Sequence, residues 1–283
     1  MMRAVCILAV VAASIVSAAT ELEQARKLYS RTEYDASLKL LLPIQNKDGA
    51  VWLLMGRDYY GAGDAKKATE TLEKAVAADP KNSDCYLWLG RAFGRRAETS
   101  SPFTAPGLAS KARQNFEKAV ELNPHNLEAL SDLFEYYLEA PGFLGGGIDK
   151  ATKIAERIGA LNEIEGYWAR AKIAEKRKEY PGAEQALRRA VELAPKQVGR
   201  LIDLAKFLAS QGRTQESDQT FQAADKLEPN SPKLMFAKAD SYIHNHRNLD
   251  AARALLRQYL SASLTPDDPP RAQAEKLLKQ AGS

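Results

Sequence analysis

Residues 52–80 read WLLMGRDYYGAGDAKKATETLEKAVAADP, and the fold follows from how this stretch is divided. Its first half, Trp52 to Tyr60, is a helical stripe of apolar and aromatic residues with Gly56 set inside it. Its second half places Ala68, Leu72 and Ala75 at i, i+4 and i+7, one face of a second helix. Pro80 ends that helix, because proline lacks the N–H and crowds the preceding turn. The stretch is a helical hairpin, and one hairpin alone cannot bury its apolar face.

The pattern recurs. Tyr86-Leu87-Trp88-Leu89-Gly90-Arg91-Ala92-Phe93 repeats the first half, with glycine at the same phase. The second half returns as ARQNFEKAVELNP (112–124), AEQALRRAVELAP (183–195) and SDQTFQAADKLEP (217–229). Pro195 and Pro229 stand 34 residues apart. A fixed period of this size marks stacked structural repeats.

On Trp52, Met55, Gly56, Tyr59, Ala68, Leu72, Ala75 and Pro80 the chain resembles the tetratricopeptide-repeat family. The resemblance implies an all-α, right-handed α-solenoid of about seven helical hairpins with a concave inner surface. Repeats are expected near 20–49, 50–82, 83–126, 127–163, 164–197, 198–231 and 232–264, in a single domain over 20–283. A capping helix follows at 268–281, after Asp-Asp-Pro-Pro. Thr20 and Glu23 are expected to cap the first helix, Pro43 to shorten the second, and Tyr259 stands where alanine is expected.

The N-terminus has another character. A short positive end, residues 1–3, precedes an uncharged apolar run over residues 4–16, then small residues around Ala18 and Ala19. This is the layout of a secretory signal peptide over 1–19, too short to span a bilayer comfortably. It implies an exported protein, periplasmic or secreted, and the resemblance then extends to exported bacterial repeat proteins. Cys85 would be the one cysteine left after cleavage, so no internal disulfide is available. The formal charge of +4 comes without a lysine- or arginine-rich run, so nothing calls for nucleic acid.

Units three and four are stretched by TSSPFTAPG (99–107) and APGFLGGG (140–147). The glycine-rich second insertion is no phosphate loop, since a helix precedes it and Ile148-Asp149 follow where Lys-Ser/Thr is required. Phe103 and Phe143 either pack on each other and adjacent helices or project together, with Phe143 and Leu144 as a lid over one end of the groove.

Catalytic chemistry finds no support. His244 and His246 lie two apart without a cysteine or acidic cluster to complete a metal site, and there is no GxSxG elbow. No catalytic, metal or cofactor-binding residue is assigned, and no enzyme is expected.

In the family, the fifth, ninth and twelfth repeat positions tend to line the groove. The fifth reads Leu22, Leu53, Leu87, Ser131, Trp168, Ile202 and Phe236, and the ninth Arg26, Arg57, Arg91, Glu135, Lys172, Lys206 and Asp240. The twelfth begins Tyr29, Tyr60. An apolar row beside a basic row suits a protein or peptide segment carrying acidic and hydrophobic residues. The candidate contacts are Arg57, Tyr60, Arg91, Trp168, Lys172, Lys206 and Phe236, with Phe143 and Leu144. Leu53 and Arg57 replace the lysine and asparagine of the family's carboxylate clamp, so chaperone C-termini are not the expected ligand. The other expectation is a structural subunit of a cell-envelope assembly, held through the convex face or the solenoid ends.

Overall fold

The computed structural model describes residues 19–282, and the expected leader lies almost wholly outside them. Among the described residues the chain is helical throughout, with no strand. Helix α1 covers residues 19–30 and α2 spans Tyr34–Leu41. The next helices are α3 (Gly49–Gly61), α4 (Ala65–Ala78), α5 (Ser83–Glu98), α6 (Ala105–Leu122) and α7 (Leu127–Glu139). After a 3₁₀ turn at Gly142–Leu144 come α8 (Ile148–Leu161), α9 (Glu163–Lys176), α10 (Tyr180–Leu193) and α11 (Val198–Ser210). The series closes with α12 (Thr214–Leu227), α13 (Pro232–His244), α14 (Leu249–Ser261) and α15 (Arg271–Gly282).

The chain divides into two compact units. Unit 1 runs to Leu133 and takes in Phe143–Gly145; unit 2 comprises Phe134–Gly142 and everything from Gly146 onward. In unit 1, α3 packs on α4 and α5 on α6 as hairpins, and α3 lies against α5 to stack one hairpin on the next. Unit 2 repeats the scheme with α9 on α10, α11 on α12 and α13 on α14, and α11 against α13. Each unit is a short α-solenoid.

The repeat positions explain the packing. Ala68, Ala112, Ala183 and Ser217 occupy one register of the second helices, and all are essentially without exposure. Ser217 fits there because its hydroxyl donates to the Ala205 carbonyl at 2.8 Å, which meets the need of a buried polar group. One turn on, Leu72, Phe116, Leu187 and Phe221 fill the space between helices and are buried. Each such side chain contributes on the order of 1.5–3 kcal/mol. The first helices accommodate them with glycine. A Cβ at Gly56 would sit 2.4 Å from Leu72 Cγ, and one at Gly90 would sit 2.6 Å from the Phe116 ring.

Caps place the helix starts. Asp48 accepts from the Val51 N–H at 2.9 Å, and Asp64 from the Lys67 N–H at 3.0 Å. Asn162 accepts from both Ile164 and Glu165 N–H groups. Each satisfies a first-turn donor that has no partner within the helix. Thr20 is not such a cap, since the helix is already formed at Ala19. Helix α2 is only eight residues long and stops before Pro43. Helix α6 absorbs Ala105, Pro106 and Gly107 from the expected insertion, with proline tolerated in its first turn, so the loop itself is 99–104.

At the C-terminal end Tyr259 is fully buried, its ring 5.3 Å from that of Phe236, and its hydroxyl donates to the Pro269 carbonyl. The large ring at an alanine position anchors the Asp-Asp-Pro-Pro segment, and α15 packs on α13 and α14.

Candidate functional site

The first helices of unit 1 carry a ladder of aromatic rings and guanidinium groups. Tyr29 comes from α1, Arg57 and Tyr60 from α3, and Trp88, Arg91 and Arg95 from α5. The Arg57 guanidinium lies 4.6 Å from the Tyr29 ring centroid and 4.6 Å from that of Trp88. Its Nε donates to the Tyr29 hydroxyl at 3.3 Å. Trp88 in turn meets Arg91 at 4.7 Å and the Tyr60 ring edge-on at 5.6 Å, and Arg95 stands 5.7 Å from Tyr60. Trp88 and Arg91 are three residues apart, so they share one helix face.

The two arginines differ in charge balance. Arg91 makes a forked pair with Asp132, Nε to Oδ2 at 2.6 Å and Nη2 to Oδ1 at 3.3 Å, and reaches Glu128 at 3.1 Å. Burial raises the Asp132 carboxyl above its usual range, against the hydrogen bonds and charge of Arg91 that lower it. Arg57 has no carboxylate within ion-pair distance among the described residues; its neighbours are π faces. The next residue, Asp58, is fully buried, accepts from Ser37 Oγ at 2.7 Å and is pushed up to about 7 by burial.

Unit 2 neutralises its expected contacts. Lys172 donates to Glu175 at 3.2 Å, and Lys206 to Asp240 on the next first helix at 2.9 Å. Arg200 bridges Glu165 at 3.3 Å and Asp203 at 3.4 Å. Trp168 is half-buried with its ring on Phe134 at 5.6 Å.

The fifth column is in part a packing feature, with Leu22, Leu53, Ser131 and Trp168 only partly covered. Leu87, Ile202 and Phe236 are buried, at 1%, 5% and 8% exposure. Phe236 is therefore withdrawn as a partner contact, because Tyr259 covers its ring. The Phe103 and Phe143 side chains are 95% and 83% exposed, so they do not pack on each other or on helices, while Leu144 is partly covered. Tyr29 and Trp88 complete the ladder without having been singled out as contacts. The spacing of Trp88 to Arg91 was the sequence signal for one of them. Among the described residues no cluster of histidine, cysteine or acidic side chains could hold a metal ion. None of their helices is long and apolar enough to cross a membrane.

A tetratricopeptide-repeat family profile matches residues 53–97 and 202–269. A tetratricopeptide repeat protein 37 of Xenopus laevis is 31% identical over 100 residues, 34% of this chain and 6% of that protein. Superkiller complex protein 3 of Homo sapiens is 27% identical over 154 residues, 50% of this chain and 9% of that protein. The chain thus spans less than a tenth of the length of these relatives. A tetratricopeptide repeat protein of Parabacteroides merdae superposes with a TM-score of 0.62 at 14% identity, over 94% of this chain and 99% of that one. At that identity the likeness shows the fold, which is the tetratricopeptide-repeat fold. Proteins built from this repeat generally mediate protein–protein interactions.

Proposed function

We propose that this chain is an exported, non-enzymatic scaffold that binds a protein or peptide segment on the first-helix surface of unit 1. The segment carries a carboxylate beside an aromatic or aliphatic residue. One observation carries this reading: Arg57 is a partly exposed guanidinium held between two rings with no carboxylate of its own. The rings fix the orientation of its planar donors without neutralising them, and such donors take a carboxylate in a forked pair. Tyr60 and Trp88 add contact area at small entropic cost. Arg91 orients more than it binds, since Asp132 and Glu128 already occupy it.

The groove residues of unit 2 have a lesser part in this reading. Lys172 and Lys206 would have to surrender Glu175 and Asp240 to a ligand, and exposed pairs of that kind exchange for little net gain. Export rests on the apolar run and small residues before Thr20. Amino-terminal sequencing of the protein isolated from its source tests it, with an intact Met1 as the refuting result.

Panning a random peptide library on the immobilised protein tests the binding face. We expect an enriched motif pairing Asp or Glu with an aromatic residue, and its loss in Arg57→Ala and Trp88→Ala variants. A motif retained by both variants but lost in Trp168→Ala would place recognition in unit 2.

A further inference from the structure

The two insertions expose apolar area that the binding ladder does not use. Phe103 and Phe143 both belong to unit 1, and both are connected to α6. Phe103 lies in the turn that leads into that helix. The backbone of Gly145 lies so close to the Arg113 side chain that a Cβ there would fall 2.9 Å from Nε. At 1.5 Å per residue, the helix start and Arg113 are about 12 Å apart along α6. The loops over 99–104 and 140–147 contain no charged residue, and no acidic residue occurs from Thr99 to Phe116. Cations follow in the flanking helices: Arg96 in α5 and Lys111 in α6 have no carboxylate within ion-pair distance among the described residues, while Arg95 pairs with Glu98 at 3.3 Å and Arg113 with Glu117 at 2.8 Å.

We propose that this edge of unit 1 docks reversibly on an anionic lipid surface. The two phenyl rings enter the boundary between headgroups and acyl chains, and the cations lie at the level of the phosphates. The order of the groups favours lipid over a protein pocket. Uncharged apolar tips with cations set back by a turn or more match the layering of a bilayer interface. A ring 95% exposed has no neighbouring wall to form one side of a protein pocket, whereas the acyl boundary surrounds it from all sides. One such ring binds weakly, and stable attachment needs a second signal, supplied here by the second ring together with the unpaired Arg96 and Lys111.

Vesicle flotation tests this, using protein isolated from cells expressing the whole sequence. The probes are phosphatidylcholine vesicles with and without phosphatidylglycerol. We expect binding that requires phosphatidylglycerol, and a partition coefficient reduced about tenfold or more in Phe103→Ser/Phe143→Ser. Lys111→Glu should weaken binding only to the anionic vesicles. Because the leader could itself bind lipid, the local readout is a Phe103→Trp variant with brominated lipid. Quenching beyond that of Trp52, Trp88 and Trp168 in the parent supports insertion. Equal flotation of parent and double variant, or no added quenching at position 103, overturns the proposal. Loss of self-association in the double variant with vesicle binding unchanged also overturns it, and assigns the rings to a protein contact. Unchanged helical melting of the variants ensures that the loops alone are tested.

Discussion

Replacing Asp58 by asparagine should stabilise unit 1 at neutral pH and remove a pH dependence that the parent carries. The carboxyl is wholly buried between α2 and α3; Ser37 Oγ serves Oδ2, and Oδ1 has no hydrogen-bond partner. Burial raises its pKa from 3.8 to about 7, against the lowering influence of the Ser37 hydrogen bond and the Arg57 charge. The unfolded chain releases this proton near pH 3.8, while the folded chain keeps it to about 7. In that window the folded state binds more protons, so stability falls as pH rises and is level above it. At 1.36 kcal/mol per unit the full loss is about 4 kcal/mol, an upper bound, since burial relaxes when a charge forms. Asparagine keeps the volume and an acceptor for Ser37, and does not titrate. The assay is urea unfolding of both proteins from pH 5 to 8, each carrying Trp168→Phe so that the remaining fluorophores, Trp52 and Trp88, report on unit 1. The stability difference in favour of Asp58→Asn should widen by about 2–3 kcal/mol between pH 5 and 7 and then stop changing. Titrations of all other groups cancel in the difference. A gap that stays constant across the range would refute the buried, protonated carboxyl.

Three further outcomes follow from packing and burial. Gly56→Ala places its Cβ 2.4 Å from Leu72 Cγ and should cost about 1–3 kcal/mol in thermal unfolding, although alanine is the better helix former. Tyr259→Ala opens a cavity at a fully buried site and removes the hydroxyl that holds Pro269. It should cost about 3–5 kcal/mol, and hydrogen exchange should show α15 losing protection first. Cys85 is buried and its thiol is pushed up to about 12 by burial, with Asp79 and Asp84 adding to it. It should stay unreactive to a disulfide reagent at pH 8 until urea unfolds unit 1, and prompt labelling of the native protein would contradict that burial.

The sequence revealed the fold because repeat spacing is a packing rule: Ala68, Leu72, Gly56 and Pro80 each have one steric reason to be where they are. Phe116 and Phe221 at the Leu72 register, and Ser217 at the Ala68 register, follow the same rule with different atoms. The candidate site was only partly legible. A column of cations identifies a face, but net charge depends on what stands opposite: Asp132 and Glu175 come from positions that the column does not include, and Lys206 is met by the column's own acidic member on the next first helix, Asp240. Phe236 was misread as a contact because burial by Tyr259 arises 23 residues further along the chain. The exposure of Phe103 and Phe143 was equally out of reach, since a loop phenylalanine packs or projects according to backbone geometry that composition does not encode.

Arg57 and Arg91 share a repeat position and a ring, yet only one of them is free to bind. Trp88 contacts both guanidinium groups at nearly equal distance, so the aromatic environment does not separate them. What separates them is the acidic start of α7, which gives Arg91 two carboxylates and leaves Arg57 none within ion-pair distance among the described residues. A ligand carboxylate at Arg91 must displace a forked pair, whereas one at Arg57 displaces water. Charge reversal of Asp132 and Glu128 to lysine would therefore not release Arg91 as a second site; it would bring three cations together and weaken unit 1. The milder Glu128→Gln leaves the Asp132 fork in place and should leave the selected peptide motif unchanged, whereas Asp132→Asn, which removes the charge of the fork, should extend that motif by a second acidic residue. A motif unchanged in length by Asp132→Asn would refute the fork as what keeps Arg91 occupied.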